Sequence, residues 1–155
     1  MSGCDNTCMF RRPREGCRLP EHPGTIAYPA CPDYEPRPEP RRVFVVCPVR
    51  NITPEQERDI AAAIQGLENE GYEVCWPLRD TPQGDPNGIM ICRKNRQAIK
   101  RATLIGIWYD PNSQGSLFDL GMTFAFRKPI RLLNTVEPTP IKSFANVLLT
   151  WEEKP

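Results

Sequence analysis

The chain alternates between short apolar runs and longer stretches in which apolar side chains recur every three or four residues. The apolar runs, rich in branched and aromatic residues, lie at 43–47, 72–76, 104–109 and 130–133. Runs of this length and composition are typical of strands that are covered on both faces of a sheet. The stretches between them, at 53–71, 89–102 and 116–126, have the spacing of amphipathic helices. The pattern therefore predicts that strands and helices alternate from residue 43 onward.

The ends of the first predicted helix carry strong local signals. Thr53 offers a hydroxyl for the N-cap, Pro54 suits the first helical position, and Gln56 completes a capping box. Gly71 fits the left-handed position that commonly follows a helix. We therefore expect a helix from Thr53 to Gly71.

Two later segments are harder to assign. The polar, Pro- and Gly-rich segment 77–87 predicts a loop, in which Asp80 and Asp85 serve as turn residues. Near the C-terminus, the pattern predicts a short helix at 141–145 and a fifth strand at 147–151.

Strands that alternate with helices indicate an α/β fold with a doubly wound parallel sheet, here of four to five strands in the flavodoxin-like order 2-1-3-4-5. Ligands of such sheets bind at the carboxyl ends of the strands, where the strand order reverses. That crevice would lie between strands one and three. Its rims would be the segment Cys47, Pro48, Val49 and Arg50 and the segment from Asp110 to Ser116.

The first 42 residues differ from the rest of the chain. They hold eight of the eighteen prolines and four of the seven cysteines, and such a composition cannot bury enough apolar surface to fold by itself. We therefore predict an irregular tail at 1–42 and one α/β domain at 43–155. The tail contains five side chains that could hold a structural zinc ion: Cys4, Cys8, Cys17, His22 and Cys31. Their spacing matches no standard zinc knuckle, which favours reduced thiols without metal.

Charge and composition exclude several classes of protein. The formal net charge is +1, which gives no electrostatic support for binding a nucleic-acid polymer. No apolar run is long enough to cross a bilayer, and the N-terminus lacks the pattern of a secretory signal. An odd number of cysteines without such a signal is typical of a cytoplasmic protein with reduced thiols, in which Cys47, Cys75 and Cys92 act as small buried hydrophobes.

Carboxylate chemistry is the catalytic option that the folded region retains. Its sequence contains no histidine, because His22 lies in the tail, and this argues against serine or cysteine nucleophiles activated by histidine. Asp119 follows a small-residue loop and lies about three residues into a predicted helix, where the macrodipole would stabilise its anion. It could attack an electron-poor anomeric carbon. Alternatively, Ser116 and Asp119 have the spacing of a capping box.

Two further polar residues are placed near the predicted crevice. Asn95 shares a helical stripe with Cys92 and Ile99, so its amide either points into the crevice or is buried and satisfied by a backbone group. Arg50 would face the serine-glycine loop across the crevice, which favours an anionic ligand such as phosphate, or it is a solvated residue at the rim.

Several segments together resemble the nucleoside 2-deoxyribosyltransferase superfamily. They are VFVVCPVR, AIKRATLIGIWY and SQGSLFDLGMTFAFRKPI, within residues 43–134. The closer likeness is to the 2′-deoxynucleoside 5′-monophosphate N-glycosidases. The resemblance implies cleavage of an N-glycosidic bond by a carboxylate nucleophile, with water or a second base as the acceptor. It also implies a nucleoside or nucleotide ligand, no cofactor, and assembly as a homo-oligomer.

The resemblance assigns roles to individual residues. Asp119 falls on the nucleophile, and Ser113 falls where the monophosphate hydrolases contact the 5′-phosphate, in a cradle completed by Gly115, Ser116 and Arg50. The family usually has glutamate at the position of Asp119, and a supporting acid where this chain has Asn95. These departures motivate an alternative, a nucleotide-binding sensor or sequestering protein without catalysis. A third interpretation makes the tail the interacting part and the sheet domain its scaffold.

Overall fold

The computed structural model describes residues 40–152, which form four strands and five helices. The strands are β1 (Arg42–Val46), β2 (Glu73–Cys75), β3 (Leu104–Ile107) and β4 (Ile130–Leu132). The helices are α1 (Pro54–Asn69), α2 (Pro77–Asp80), α3 (Ile89–Arg101), α4 (Gln114–Ala125) and α5 (Phe144–Glu152). The predicted alternation of strands and helices is confirmed.

The four strands form one parallel sheet in the order β2-β1-β3-β4. β1 lies between β2 and β3, with Phe44 opposite Cys75 on one side and opposite Ile105 on the other. The chain adds β2 to one side of β1 and β3 to the other. The strand order therefore reverses between β1 and β3, as the sequence predicted.

Both faces of the sheet are covered, which explains why β1 reads as a continuous apolar run. Val43 and Val45 pack with α1 on one face, whereas Phe44 and Val46 pack on the other face with α3, α4 and α5. All four side chains are fully buried or nearly so. The sheet is therefore doubly wound, and the predicted fold class is confirmed.

Both ends of helix α1 lie where the local sequence signals predicted them. The hydroxyl of Thr53 accepts the N–H of Gln56 at 3.1 Å, and the Gln56 side chain accepts the N–H of Thr53 at 2.9 Å, which completes the capping box. At the other end, Gly71 has a φ of 85°, and the N–H of Tyr72 reaches the carbonyl of Leu67. This is a Schellman motif, in which glycine supplies the left-handed residue without steric strain.

The predicted fifth strand is wrong, because residues 147–151 belong to helix α5. The predicted short helix at 141–145 shares only residues 144 and 145 with α5. The apolar residues of this segment also fit a helical stripe, since Ala145 and Leu148 are buried three residues apart. The edge of β4 is instead capped by a side chain, because the carboxylate of Glu152 accepts the N–H of Leu132 at 2.6 Å.

The segment 77–87 is not entirely a loop, because its first four residues form the short helix α2. The loop after α2 is tied to both of its neighbours. Gln83 donates to the carbonyls of Pro77 and Thr81, and Asp85 accepts the N–H groups of Met90 and Ile91 at the start of α3. Asp85 is thus a structural capping residue, consistent with its expected turn role.

The zinc candidates of the tail lie outside the described residues. Within 40–152, no group of three or more histidine, cysteine, aspartate or glutamate side chains is arranged to hold a metal ion. In the same part of the chain, no helix has the length and apolarity needed to cross a membrane.

Candidate functional site

The carboxyl ends of β1 and β3 lie side by side and define the candidate site. Cys47 and Pro48 follow β1 and are buried, and the chain reaches the surface at Arg50. After β3, the partly buried segment from Trp108 to Asp110 leads to the N-terminus of α4. Adjacent parallel strands thus bring these two predicted rims to the same edge of the sheet.

Helix α4 begins two residues earlier than its apolar pattern predicted. Ser113 is its N-cap, and the Ser113 hydroxyl accepts the N–H of Ser116 at 3.4 Å and shares a hydrogen bond with the Ser116 hydroxyl at 2.7 Å. The alternative capping box of Ser116 and Asp119 is therefore wrong. Asp119 is the sixth residue of the helix rather than the third, beyond the first turn in which the macrodipole acts most strongly.

Asp119 is buried against α3, with 8% of its surface exposed. The amide nitrogen of Asn95 donates to Oδ2 of Asp119 at 2.9 Å, and Asn95 is itself 6% exposed. The alternative in which a backbone group satisfies the Asn95 side chain is thus wrong. Within residues 40–152, one oxygen of Asp119 is therefore held by Asn95, and the second oxygen accepts no hydrogen bond.

Burial controls the protonation of Asp119. Desolvation raises the pKa of its carboxyl from 3.8 to about 6, and the hydrogen bond from Asn95 opposes this shift. The macrodipole stabilisation expected from the sequence does not dominate, because the carboxyl lies deeper in the helix than predicted. A carboxylate that is poorly solvated but still ionised at neutral pH is suited to act as a nucleophile.

Thr81 completes a buried polar chain that the sequence analysis missed. It follows α2, is 6% exposed, and its hydroxyl lies 3.5 Å from the carbonyl oxygen of Asn95. Thr81, Asn95 and Asp119 therefore connect the loop after α2 with α3 and α4. A threonine in a polar loop gave no sequence signal, because its burial depends on where α3 and α4 lie.

Cys47 lies close enough to Asp119 for the charge of Asp119 to affect the ionisation of the thiol. Desolvation raises the pKa of the Cys47 thiol to about 12, the nearby indole of Trp76 lowers it, and the negative charge of Asp119 raises it further. The indole N–H of Trp76 nevertheless fails the geometry of a hydrogen bond to sulfur, and it is buried without a partner in the described part of the chain. Cys47 is thus a neutral, buried thiol, as predicted, whereas Cys75 and Cys92, for which burial was also predicted, are only partly buried.

The residues predicted to hold a phosphate lie at the N-terminus of α4 and after β1. Ser113 and Ser116 lie at the N-terminus of α4, and Gly115 is exposed, with nothing within 4 Å of the position that a Cβ would occupy. Arg50 is exposed and makes no hydrogen bond or ion pair within residues 40–152. The structure therefore places the serines and glycine at a helix N-terminus, where anions bind well.

The loop that carries these residues is held by side chains. Oδ1 of Asp110 accepts the N–H of Asn112 at 2.9 Å, which closes a turn before Ser113. The side chain of Asn134 accepts the N–H of Tyr109 at 2.8 Å and donates to the carbonyl of Tyr109 at 3.0 Å. Asn134 thus continues the pairing of β3 and β4 beyond the sheet and fixes the start of the loop. The sequence analysis did not identify it.

No protein-family model and no curated protein matches this chain. The resemblance drawn from the sequence motifs therefore stays a hypothesis, and any functional assignment depends on the arrangement around Asp119.

Proposed function

We propose that this protein cleaves the N-glycosidic bond of a nucleoside or nucleoside 5′-monophosphate, with Asp119 as the nucleophile. The observation that carries the proposal is the hydrogen bond of 2.9 Å between Asn95 and one oxygen of Asp119. The proposal is supported by a carboxylate that is held by one oxygen near the carboxyl edge of a parallel sheet, since a covalent mechanism at an anomeric carbon needs the second oxygen for bond formation.

The proposed reaction proceeds in two steps. Oδ1 of Asp119 bonds to C1′ of the sugar while the bond from C1′ to the base breaks, and the bonding electrons leave with the base nitrogen, which takes a proton from water. A water molecule, or a second base, then attacks C1′ and regenerates the carboxylate. Asn95 orients Asp119 throughout, but its amide cannot supply a proton at neutral pH.

The N-terminus of α4 is the proposed binding site of the 5′-phosphate. Backbone N–H groups and the hydroxyls of Ser113 and Ser116 lie there, six and three residues before Asp119. Hydroxyls donate hydrogen bonds to a phosphate, whereas a carboxylate would repel it. Arg50, at the end of β1, is the proposed counter-charge, because its guanidinium has no partner within residues 40–152.

One observation favours a second candidate, a nucleotide-binding protein without catalysis. The side chains that form the buried chain with Asp119 are those of Asn95 and Thr81, and neither titrates near neutral pH. A leaving base would then depend on water for its proton. In that case the same site would bind a nucleotide and release no base.

Chromatography of the products tests the proposal directly. The purified full chain would be incubated with each nucleoside and nucleoside 5′-monophosphate, in both sugar forms, and free base would be quantified. We expect base from a subset of the substrates and none from the Asp119→Asn variant, whereas Asp59→Asn, an exposed change on α1, should retain activity. Turnover by Asp119→Asn at the wild-type rate would exclude Asp119 as the nucleophile. Saturable binding by calorimetry without release of base would establish the non-catalytic candidate.

A further inference from the structure

We infer that Thr81 is a positioning residue for Asp119, acting through the amide of Asn95. The inference rests on the proposed function for its catalytic meaning, but the arrangement itself can be tested without any activity. It assigns a role to a loop that otherwise only connects α2 with α3.

The contacts of the Asn95 amide are the basis of the inference. Its nitrogen faces Oδ2 of Asp119 at 2.9 Å and its oxygen faces the Thr81 hydroxyl at 3.5 Å. The second distance is at the limit of a hydrogen bond, yet neither the hydroxyl nor the amide oxygen has another partner within residues 40–152. Because all three residues are buried, an unsatisfied group would carry the full cost of its desolvation.

The amide has two orientations, and Asp119 needs only one of them. With its nitrogen toward Asp119, the amide donates to the carboxylate; rotated by half a turn, it would set a carbonyl oxygen against a negative oxygen. The carboxylate therefore selects the first orientation, and a hydroxyl that donates to the amide oxygen from the other side polarises the amide and strengthens its N–H donation to Asp119. Thr81 therefore stabilises the ionised form of Asp119 without touching it.

The backbone holds Thr81 in place for this role. Its N–H donates to the carbonyl of Pro77 at 3.1 Å, and its carbonyl accepts from Gln83 at 2.7 Å. Asp85 then anchors the other end of the loop to the first N–H groups of α3. The loop is therefore fixed by hydrogen bonds at both ends, and its buried hydroxyl is directed at Asn95. A loop that only connects two helices does not need these contacts.

Few other groups can account for the protonation of Asp119. Directly after β1, the Cys47 thiol lies near it and stays neutral, because burial raises the pKa of that thiol to about 12. From α3, the facing group is the uncharged amide of Asn95. Within the described residues, the local hydrogen-bond chain and desolvation therefore set the balance between the acid and its anion.

Titration of the Asp119 carboxyl by carbon NMR in the full chain tests the inference, with the resonance assigned by its absence in Asp119→Asn. Thr81→Val keeps the shape of the side chain and removes the hydroxyl. We expect the midpoint to rise on the order of one pH unit in Thr81→Val and to stay at the wild-type value in Thr81→Ser. If the protein is active, the acid limb of its kcat/KM profile should move by the same amount.

Thr123→Val is the matched control. Thr123 is fully buried on α4, and its hydroxyl donates to the backbone carbonyl of Asp119 at 2.9 Å rather than to the Asn95 amide. This variant should lose stability, and the midpoint of its Asp119 titration should equal that of the wild type. If Thr81→Val does not fold, Thr81→Ala takes its place in the same titration.

Two results would overturn the inference: an unchanged midpoint without the Thr81 hydroxyl, or an equal shift in Thr123→Val, which would indicate general loosening of the core. Failure of the proposed function is a separate outcome. If the wild-type chain releases no base, but the midpoint of the Asp119 titration rises in Thr81→Val as expected, the positioning role is retained and the glycosidase assignment is lost.

Discussion

Asn95 donates a hydrogen bond to Asp119 across 2.9 Å, joining α3 to α4 through two buried side chains that are 24 residues apart. The partner of the carboxyl is thus a neutral amide rather than a cation or an acid. An amide can orient a carboxylate and partly offset its desolvation, but it does not neutralise its charge. Asp119 is therefore held in place at a cost to the stability of the fold.

That cost predicts that Asp119→Asn stabilises the protein at neutral pH. The pKa of the carboxyl is about 6 in the folded chain, compared with 3.8 for an unperturbed aspartate in the unfolded chain. Well below pH 3.8 the carboxyl is protonated in both states, so burial carries no ionic penalty. As the pH rises from 3.8 to about 6, the unfolded chain ionises before the folded one, and the folded state loses stability until the loss levels off above pH 6 at about 3 kcal/mol.

Denaturant unfolding at several pH values measures this effect. The gain from Asp119→Asn should be largest at pH 7.5 and should vanish at pH values well below 3.8, whereas the exposed Asp59→Asn should change little at any pH. A gain that does not depend on pH would show that ionisation of Asp119 is not its source.

Asn95→Asp should convert the pair into two interacting carboxyls. At a separation near 2.9 Å, two carboxylates cannot both ionise readily, so they share a proton and the second ionisation moves to higher pH. We expect the carboxyl titration near Asp119 to show two steps, the upper one above the wild-type midpoint. A single step at the wild-type midpoint would mean that the two side chains separate in the variant.

Asn134→Ala should loosen the loop that leads to α4. The variant loses both hydrogen bonds to the backbone of Tyr109, at 2.8 and 3.0 Å, and we expect a loss of about 1–3 kcal/mol in unfolding free energy. Faster amide exchange at Tyr109 would locate the effect. Asn112→Ala in the same loop is the control, since the Asn112 side chain makes no hydrogen bond within residues 40–152. Equal losses in both variants would contradict the role assigned to Asn134.

The outer faces of α4 and α5 predict self-association. Four large apolar side chains on α4, on α5 or next to α5 are between 47% and 74% exposed: Phe124, Ile141, Phe144 and Val147. Each phenylalanine exposes on the order of 100 Å², so the set supplies part of the roughly 800 Å² per partner that a stable interface buries. The only charged side chain of α4 is the buried Asp119. We therefore expect a second copy of the chain to cover this face.

Light scattering coupled to size exclusion measures the association. The wild-type chain should run as a dimer or larger oligomer, and Val147→Lys should shift it toward the monomer. Gln97→Lys adds the same charge to the exposed face of α3 and should leave the mass unchanged. A monomeric wild-type chain at micromolar concentration would contradict the prediction.

Where the governing interactions are local, the sequence predicted the structure. The capping box of Thr53 and Gln56 determines where α1 begins, and the left-handed Gly71 determines where it ends. Each signal acts within a few residues of the helix end that it determines. The apolar run at 43–47 predicted a strand buried on both faces, because each of its side chains must avoid water. The alternation of such runs with helices then left few topologies, and the four observed strands have the order expected for them, without the predicted fifth strand.

Tertiary contacts decided what the local pattern could not. The segment 147–151 is apolar at positions that suit a strand or a helix, and the packing of Leu148 against the sheet selects the helix. Ser113 and Ser116 could each begin α4, and the choice of Ser113 moves Asp119 into the second turn. There, burial against α3 raises the pKa of Asp119, and the loop after α2 brings Thr81 to Asn95. The sequence alone thus determined the sheet, its order and the edge at which the candidate site lies. The depth, partners and protonation of Asp119 depend on desolvation and on contacts between residues far apart in the chain, which only the folded structure brings together.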